Sequence, residues 1–233
     1  IDDAQQDETR ESLSQAARDA AAQYAYQLRI PTPLLTTTIK PEGTLSLVAG
    51  GVSAGLHYAH APYFIRRIRI SSDDALAKAA LMLGWKVQPE IGTPDNDINK
   101  ARTLVIDFPV ASGATVTKGD VPALKQLEHY IQFQKHYTQH NSSNTITVRP
   151  SEWPEVERAI TQVWDSFVGV SFLSYDGGTY QLAPYETITK EQYEALRLVN
   201  QPFDPAALQQ FENASDQLDT EDDDCASGAC PIR

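Results

Sequence analysis

The chain has 233 residues and is 41% apolar, which suits one domain or part of a larger one and is enough to bury a core. No run of about 18 apolar residues occurs, so no membrane span is expected. The formal net charge of −12 repels nucleic-acid phosphates and argues against duplex binding.

Much of the charge excess sits late. Between Glu212 and Asp224 there are seven acidic residues and no basic one, a pattern that predicts a solvated, unstructured segment. The start, Ile1-Asp2-Asp3, carries neither a basic segment nor an apolar run, so no signal peptide is expected. It also lacks an initiator Met: either the Met is missing or the chain is cut from a longer one.

In chain order, Leu13, Ala16, Ala17, Ala20, Ala21, Tyr24 and Leu28 recur at helical spacing and predict a helix over 8–29, ended by Pro31 and Pro33. Residues 34–40, rich in Thr and Ile, read as a short strand. A turn at 41–44 and a Gly-rich stretch at 49–55 follow. Residues 63–70 alternate Ile with Arg and predict a strand. A helix over 75–83 is expected, capped by Asp73 or Asp74 and ended by Gly84. Further strands are expected at 85–90, 103–110, 145–148 and 167–174, with a polar loop at 93–102. Helices are expected at 121–137, at 151–166, and at 189–198 behind a capping-box-like region at 187–191. The alternation predicts an α/β layer or barrel.

Four groups of residues could carry chemistry. The run Lys40-Pro41-Glu42-Gly43-Thr44-Leu45-Ser46 reads as strand, turn and helix start. Free backbone N–H groups there suit a phosphate, Gly43 permits close approach, and Lys40, Thr44 and Ser46 add charge or donors. The plainer reading is an ordinary turn capped by Thr44 or Ser46. Cys225 and Cys230 are the two cysteines of the chain and lie in its last nine residues. That position excludes a core disulfide, and two thiols are too few for a structural zinc site. In the cytoplasm, the expected compartment, thiols tend to be catalytic or redox-active. Two thiols separated by Ala, Ser and Gly can exchange with another disulfide, unless the pair is a chance one. His129, His136 and His140 share a helical region and could bind a metal, although a solvated face is the simpler reading; His57 and His60 read as structural or solvent-facing. Arg66, Arg67 and Arg69 could hold a phosphate or pair with carboxylates such as Asp73 and Asp74.

Taken together, the runs Lys40–Leu47, Gly50–His57, Ala61–Arg67, Asn144–Val148 and Gly178–Glu186, with the ending Cys-x4-Cys-Pro-Ile-Arg, resemble adenosylcobalamin-dependent (class II) ribonucleotide reductases. The similarity is greatest to the monomeric ribonucleoside-triphosphate reductases and covers nearly the whole chain from about residue 8. Glu42 stands where many relatives carry a small residue. The resemblance implies that residues 1–199 form the C-terminal part of a ten-stranded α/β barrel, 200–224 an acidic flexible linker and 225–233 a redox-active dithiol tail. It implies that Pro41, Glu42, Gly43, Thr44, Leu45 and Ser46 bind the substrate's phosphates. It further implies that Cys225 and Cys230 re-reduce the active site and are themselves reduced by thioredoxin.

Adenosylcobalamin would be the cofactor, with most of its site outside this chain, as would the site for a deoxynucleotide effector. The thiyl-radical cysteine and the two reducing cysteines of such an active site cannot be here, because both cysteines are terminal. The chain alone is therefore expected to be inactive and to need the N-terminal reductase portion as partner. The alternative is a non-catalytic nucleotide- or phosphate-binding module with a redox-sensing tail; a metal-binding protein using the histidines is a weaker one.

Overall fold

The computed structural model describes residues 3–50, 52–175, 180–202, 208, 211 and 212. In chain order its elements are α1 (Asp3–Leu28), α2 (Leu45–Val48), β1 (Tyr63–Ser71), α3 (Ala75–Met82), β2 (Val87–Pro89), β3 (Thr103–Ala111), α4 (Ala123–His136), β4 (Thr145–Val148), α5 (Trp153–Gln162), β5 (Ser171–Ser174), β6 (Tyr185–Thr187) and α6 (Lys190–Val199). The strands form a sheet of order β2-β3-β1-β6 and a separate pair β4-β5. The fold is mixed α/β and divides into two compact units, Ile1–Arg66 with Pro109–Tyr193, and Arg67–Phe108 with Glu194–Arg233.

The first unit is organised around β4. Its alternation places Ile146 and Val148 on the inside, both fully buried. They pack with Leu127, Tyr130 and Ile131 of α4 and with Val156 of α5, positions brought onto single helix faces by spacings of three and four. The Tyr130 hydroxyl, inside this core, donates to Asn141 Oδ1 at 2.9 Å and accepts the N–H groups of Val168 and Gly169 at 3.2 and 3.1 Å. β4 pairs in parallel with β5, Thr145 opposite Ser171 through Val148 opposite Ser174. α1 lies on α4: the Ser14 hydroxyl donates to the Tyr137 carbonyl at 2.8 Å, His136 Nδ1 meets Glu11 at 2.7 Å, and Arg10 sits 4.5 Å over the Phe133 ring. β6 pairs antiparallel with the start of β1, Phe64 opposite Thr187.

The second unit pairs β2 antiparallel with β3, Val87 opposite Ile106. A small core of Ala77, Ala101 and Leu104 lies beneath α3, with Ile70, Val87 and Ile98 against it. Asp74 caps α3 by accepting the Leu76 N–H at 2.7 Å. Arg67 Nε donates to Asp107 at 2.9 Å with both side chains nearly sealed from water, and Gln88 donates to the same carboxylate at 3.2 Å. The Asn200 side chain accepts the Lys86 N–H at 2.9 Å and donates to the Asp107 carbonyl at 2.6 Å.

Several boundaries differ from expectation. The first helix begins near Asp3 rather than at residue 8. Residues 34–40 form no regular strand; instead, the carbonyls of Thr37 and Ile39 accept N–H groups from Gln139, His140 and Ser143. The helix expected over 151–166 is α5 flanked by single 3-10 turns at Pro150–Glu152 and Trp164–Ser166, and the expected strand at 167–174 is confined to β5. The polar loop at 93–102 holds two 3-10 turns. The capping partner of Thr189 is Gln192, whose N–H donates to the Thr189 hydroxyl at 3.2 Å. Arg67 and Arg69 pair with Asp107 and Glu90 rather than in the expected way with Asp73 and Asp74, because β3 places Asp107 beside Arg67 and the end of β2 brings Glu90 to Arg69. The run Asp176-Gly177-Gly178, whose sequence reads as a turn, lies outside the described residues.

His60 packs between Phe64 and Tyr185, with ring centroids 5.8 and 5.4 Å away. Burial, helped by the Lys118 charge, lowers its pKa from 6.5 to about 4. Between these values the unfolded chain binds a proton that the folded one does not. Stability from this group is therefore complete above about pH 6.5 and is lost as pH falls towards 4. Urea midpoints measured from pH 7 to 4.5 are expected to fall, and His60→Gln should flatten that dependence even if it lowers stability throughout.

Candidate functional site

The turn at Pro41–Ser46 belongs to the first unit. Glu42 takes a left-handed backbone, φ 50°, and its carbonyl accepts the Ser46 N–H at 2.9 Å, the first bond of the α2 turn. The N–H groups of Gly43, Thr44 and Leu45 precede that bond, the region of a helix whose donors lack intrahelical partners. Thr44 stands at the N-cap position but makes no side-chain cap bond. Ser46 is buried while Glu42, Gly43, Thr44 and Leu45 are exposed. A Cβ at Gly43 would meet nothing within 4 Å. Lys40 does not reach over the turn; its ammonium donates to the Asn141 carbonyl at 3.2 Å.

Two residues that sequence reasoning did not assign to this site fix its position. Gly55 is left-handed, φ +59°, and a Cβ there would lie 2.6 Å from the Lys40 carbonyl oxygen. The returning chain therefore passes directly against the start of the turn, which only glycine permits. His57 then donates from Nδ1 to the Ala54 carbonyl at 2.8 Å and accepts the Thr145 N–H on Nε2 at 3.0 Å. Those two bonds use Nδ1 as donor and Nε2 as acceptor. His57 thus ties the loop to β4, a structural role in keeping with the sequence reading. The sequence signal for the close approach was the Gly-rich stretch itself, which does not say which glycine is pressed.

The other candidates are dispersed. His136 is held by Glu11, and His129 packs against the rings of Tyr58 and Phe133 at 6.0 and 5.0 Å. Among the described residues, no group of three His, Cys, Asp or Glu is placed to hold a metal. Arg66 lies 4.6 Å over the Tyr185 ring and donates to the Pro184 carbonyl at 3.3 Å. Cys225 and Cys230 lie outside the described residues. No described helix is long and apolar enough to cross a membrane.

No protein-family model matches the chain. It is 30% identical over 231 residues to the adenosylcobalamin-dependent ribonucleoside-triphosphate reductase of Lactobacillus gasseri, covering 97% of this chain and 30% of that protein. The reductase of the same name from Euglena gracilis is 36% identical over 169 residues, 71% of this chain and 22% of that one. The crystal structure of a B12-dependent (class II) ribonucleotide reductase superposes with a TM-score of 0.77 at 27% identity, over 91% of this chain and 29% of that one. The chain is a homologue of part of the adenosylcobalamin-dependent ribonucleotide reductases. It spans about 30% of the length of the Lactobacillus gasseri enzyme. These matches do not favour the alternative of a non-catalytic binding module.

In this reductase homologue, Gly55→Ala combines backbone strain with a clash against main chain, so a loss of about 1–3 kcal/mol is expected. His57→Ala leaves the Thr145 N–H without its acceptor, for a loss of about the same size. Chemical denaturation measures both, and unchanged midpoints would count against the clamp.

Proposed function

We propose that the chain is the C-terminal portion of an adenosylcobalamin-dependent ribonucleoside-triphosphate reductase. With the N-terminal portion, it would convert ribonucleotides to 2′-deoxyribonucleotides by a radical mechanism in the cytoplasm. The observation that carries this reading is a match over nearly all of this chain to under a third of such a reductase, joined to a terminal Cys-x4-Cys pair. Residues 1–199 contribute to the barrel, 200–224 serve as an acidic linker and 225–233 as the dithiol tail. The parallel pair β4-β5 supports the barrel assignment. All-parallel sheets are covered on both faces, yet Leu173 of β5 is 60% exposed.

Two tasks fall to this chain. Pro41, Glu42, Gly43, Thr44, Leu45 and Ser46 bind the substrate's phosphates through backbone N–H groups and the Thr44 hydroxyl. Cys225 and Cys230 carry electrons. One attacks the active-site disulfide left by turnover as a thiolate, forming a mixed disulfide. The second releases it, so the active-site pair regains two thiols and the tail becomes a disulfide. Thioredoxin's dithiol then reduces the tail and is itself oxidised.

The described groove between α4 and α5 holds about 270 Å³, below the roughly 300–1,000 Å³ of sites for drug-sized ligands. It does not fit adenosylcobalamin, which is larger. The reading assigns the cofactor, the radical cysteine and the deoxynucleotide effector to the rest of the reductase.

The chain alone is expected to reduce no nucleotide, and adding the N-terminal portion to restore reduction. In that assembly, the change of Cys225→Ser with Cys230→Ser is expected to abolish thioredoxin-supported turnover while leaving turnover with a small dithiol largely intact; loss of both counts against the shuttle. Gly43→Asp places a carboxylate in open space at the phosphate turn. It should raise KM for the triphosphate about tenfold or more with kcat little changed. An unaltered KM would remove the turn from the substrate site.

A further inference from the structure

The periodicity of α1 predicts one buried face, Leu13, Ala16, Ala17, Ala20, Ala21, Tyr24 and Leu28. The structure buries another. Ser14 and Ala25 are the closed positions of the helix, and they lie roughly 100° around the axis from the stripe of Leu13, Ala16, Ala17, Ala20, Tyr24 and Leu28. Within that stripe Leu13 is 58% exposed, Tyr24 64% and Leu28 56%. The helix therefore has three sides: one on α4, one exposed and mostly polar with Ser12, Gln15, Asp19 and Gln23 beside a lone Tyr26, and one apolar and uncovered. A stripe of large ends around small alanines, running from Leu13 to the end of the helix at Leu28, matches a packing face, with the alanines allowing close approach. Isolated exposed apolar residues are ordinary, but an aligned row of them marks an interaction surface.

We propose that this stripe is the docking surface for the remainder of the reductase polypeptide, the part that the relatives carry outside their match to this chain. The inference rests on the proposed function above. The match takes in 97% of this chain, so α1 belongs to the shared part, while it takes in 30% of the Lactobacillus gasseri protein. The greater part of that polypeptide is thus present in the same molecule as an α1 equivalent, and no second copy is needed to supply a cover for the stripe.

The test is co-expression of the full chain with the rest of the Lactobacillus gasseri reductase, read by size-exclusion chromatography and binding titration. Leu13→Glu with Tyr24→Glu is expected to weaken the complex at least tenfold. Ser12→Glu with Gln23→Glu, on the polar side, should leave it unchanged. Circular dichroism checks that α1 remains helical. As a measurement on the unmodified chain, hydroxyl-radical labelling of Tyr24 should be strong alone and suppressed in the complex. A complex that survives Leu13→Glu with Tyr24→Glu, or leaves Tyr24 labelled, overturns the docking surface but not the reductase reading. Absence of any complex with the unmodified chain overturns the reductase reading itself. Self-association of the chain that this double change dissolves overturns the proposal in favour of a second copy.

Discussion

The first unit depends on the burial of one four-residue strand. Ile146 and Val148 of β4 are fully enclosed, and each such side chain contributes about 1.5–3 kcal/mol when taken from water. Beyond stability, β4 supplies the reference point for the turn at Pro41–Ser46. Its first residue, Thr145, donates its N–H to His57, and the segment just before it, 139–143, donates to the carbonyls of Thr37 and Ile39. The two chain segments that bracket Pro41–Ser46 are therefore both fastened to β4 or its approach. A shift of β4 against α4 would move the turn.

Features decided by neighbouring residues were legible in the sequence. Asp74 caps α3 because its side chain reaches an N–H two residues on, and Gly84 takes a positive φ just past that helix. Features decided by distant partners were not. Asp107 lies forty positions from Arg67, and sequence reasoning reached instead for nearby Asp73 and Asp74. The extended run 34–40 reads as a strand by composition, yet it pairs only intermittently with a loop, so no regular ladder forms. β6 has three residues in a turn-rich stretch, too short for any alternation to show. Its existence is fixed by pairing with Phe64, Ile65 and Arg66.

The candidate site divides along the same line. The proposed dithiol and its acidic approach rest on residue type alone, and Cys225 and Cys230 lie outside the described residues. The turn at Pro41–Ser46 was legible in outline, since Pro, Gly and Thr at that spacing favour a turn into a helix start, but the strand expected before it does not form. The conformation of the turn was not legible. The left-handed residue is Glu42 rather than the adjacent glycine, at a cost of about 1–2 kcal/mol for a non-glycine. That choice turns the Glu42 carbonyl onto the Ser46 N–H and leaves Gly43, without strain of its own, facing open space where a ligand can approach the backbone. The glycine that conformation does require is Gly55, twelve residues on, where the Lys40 carbonyl leaves no room for a Cβ.

Two features of the first unit argue for the same conclusion from independent physics. Among the described residues β5 ends a two-stranded parallel pair with exposed Leu173, and an uncovered strand edge offers unpaired N–H and C=O groups to any other chain. α1 turns a second apolar side outward although its α4 side is already engaged. The core around Tyr130 and Ile146 gives this unit reason to fold, but it does not cover these surfaces. In a polypeptide of the relatives' length, strand pairing would close the first and side-chain packing the second. The two losses on separation then differ in kind: an edge without its partner can satisfy its backbone from water, whereas an apolar stripe cannot. Under the proposed docking, the α1 face, more than the open edge, sets how strongly this chain holds its partner.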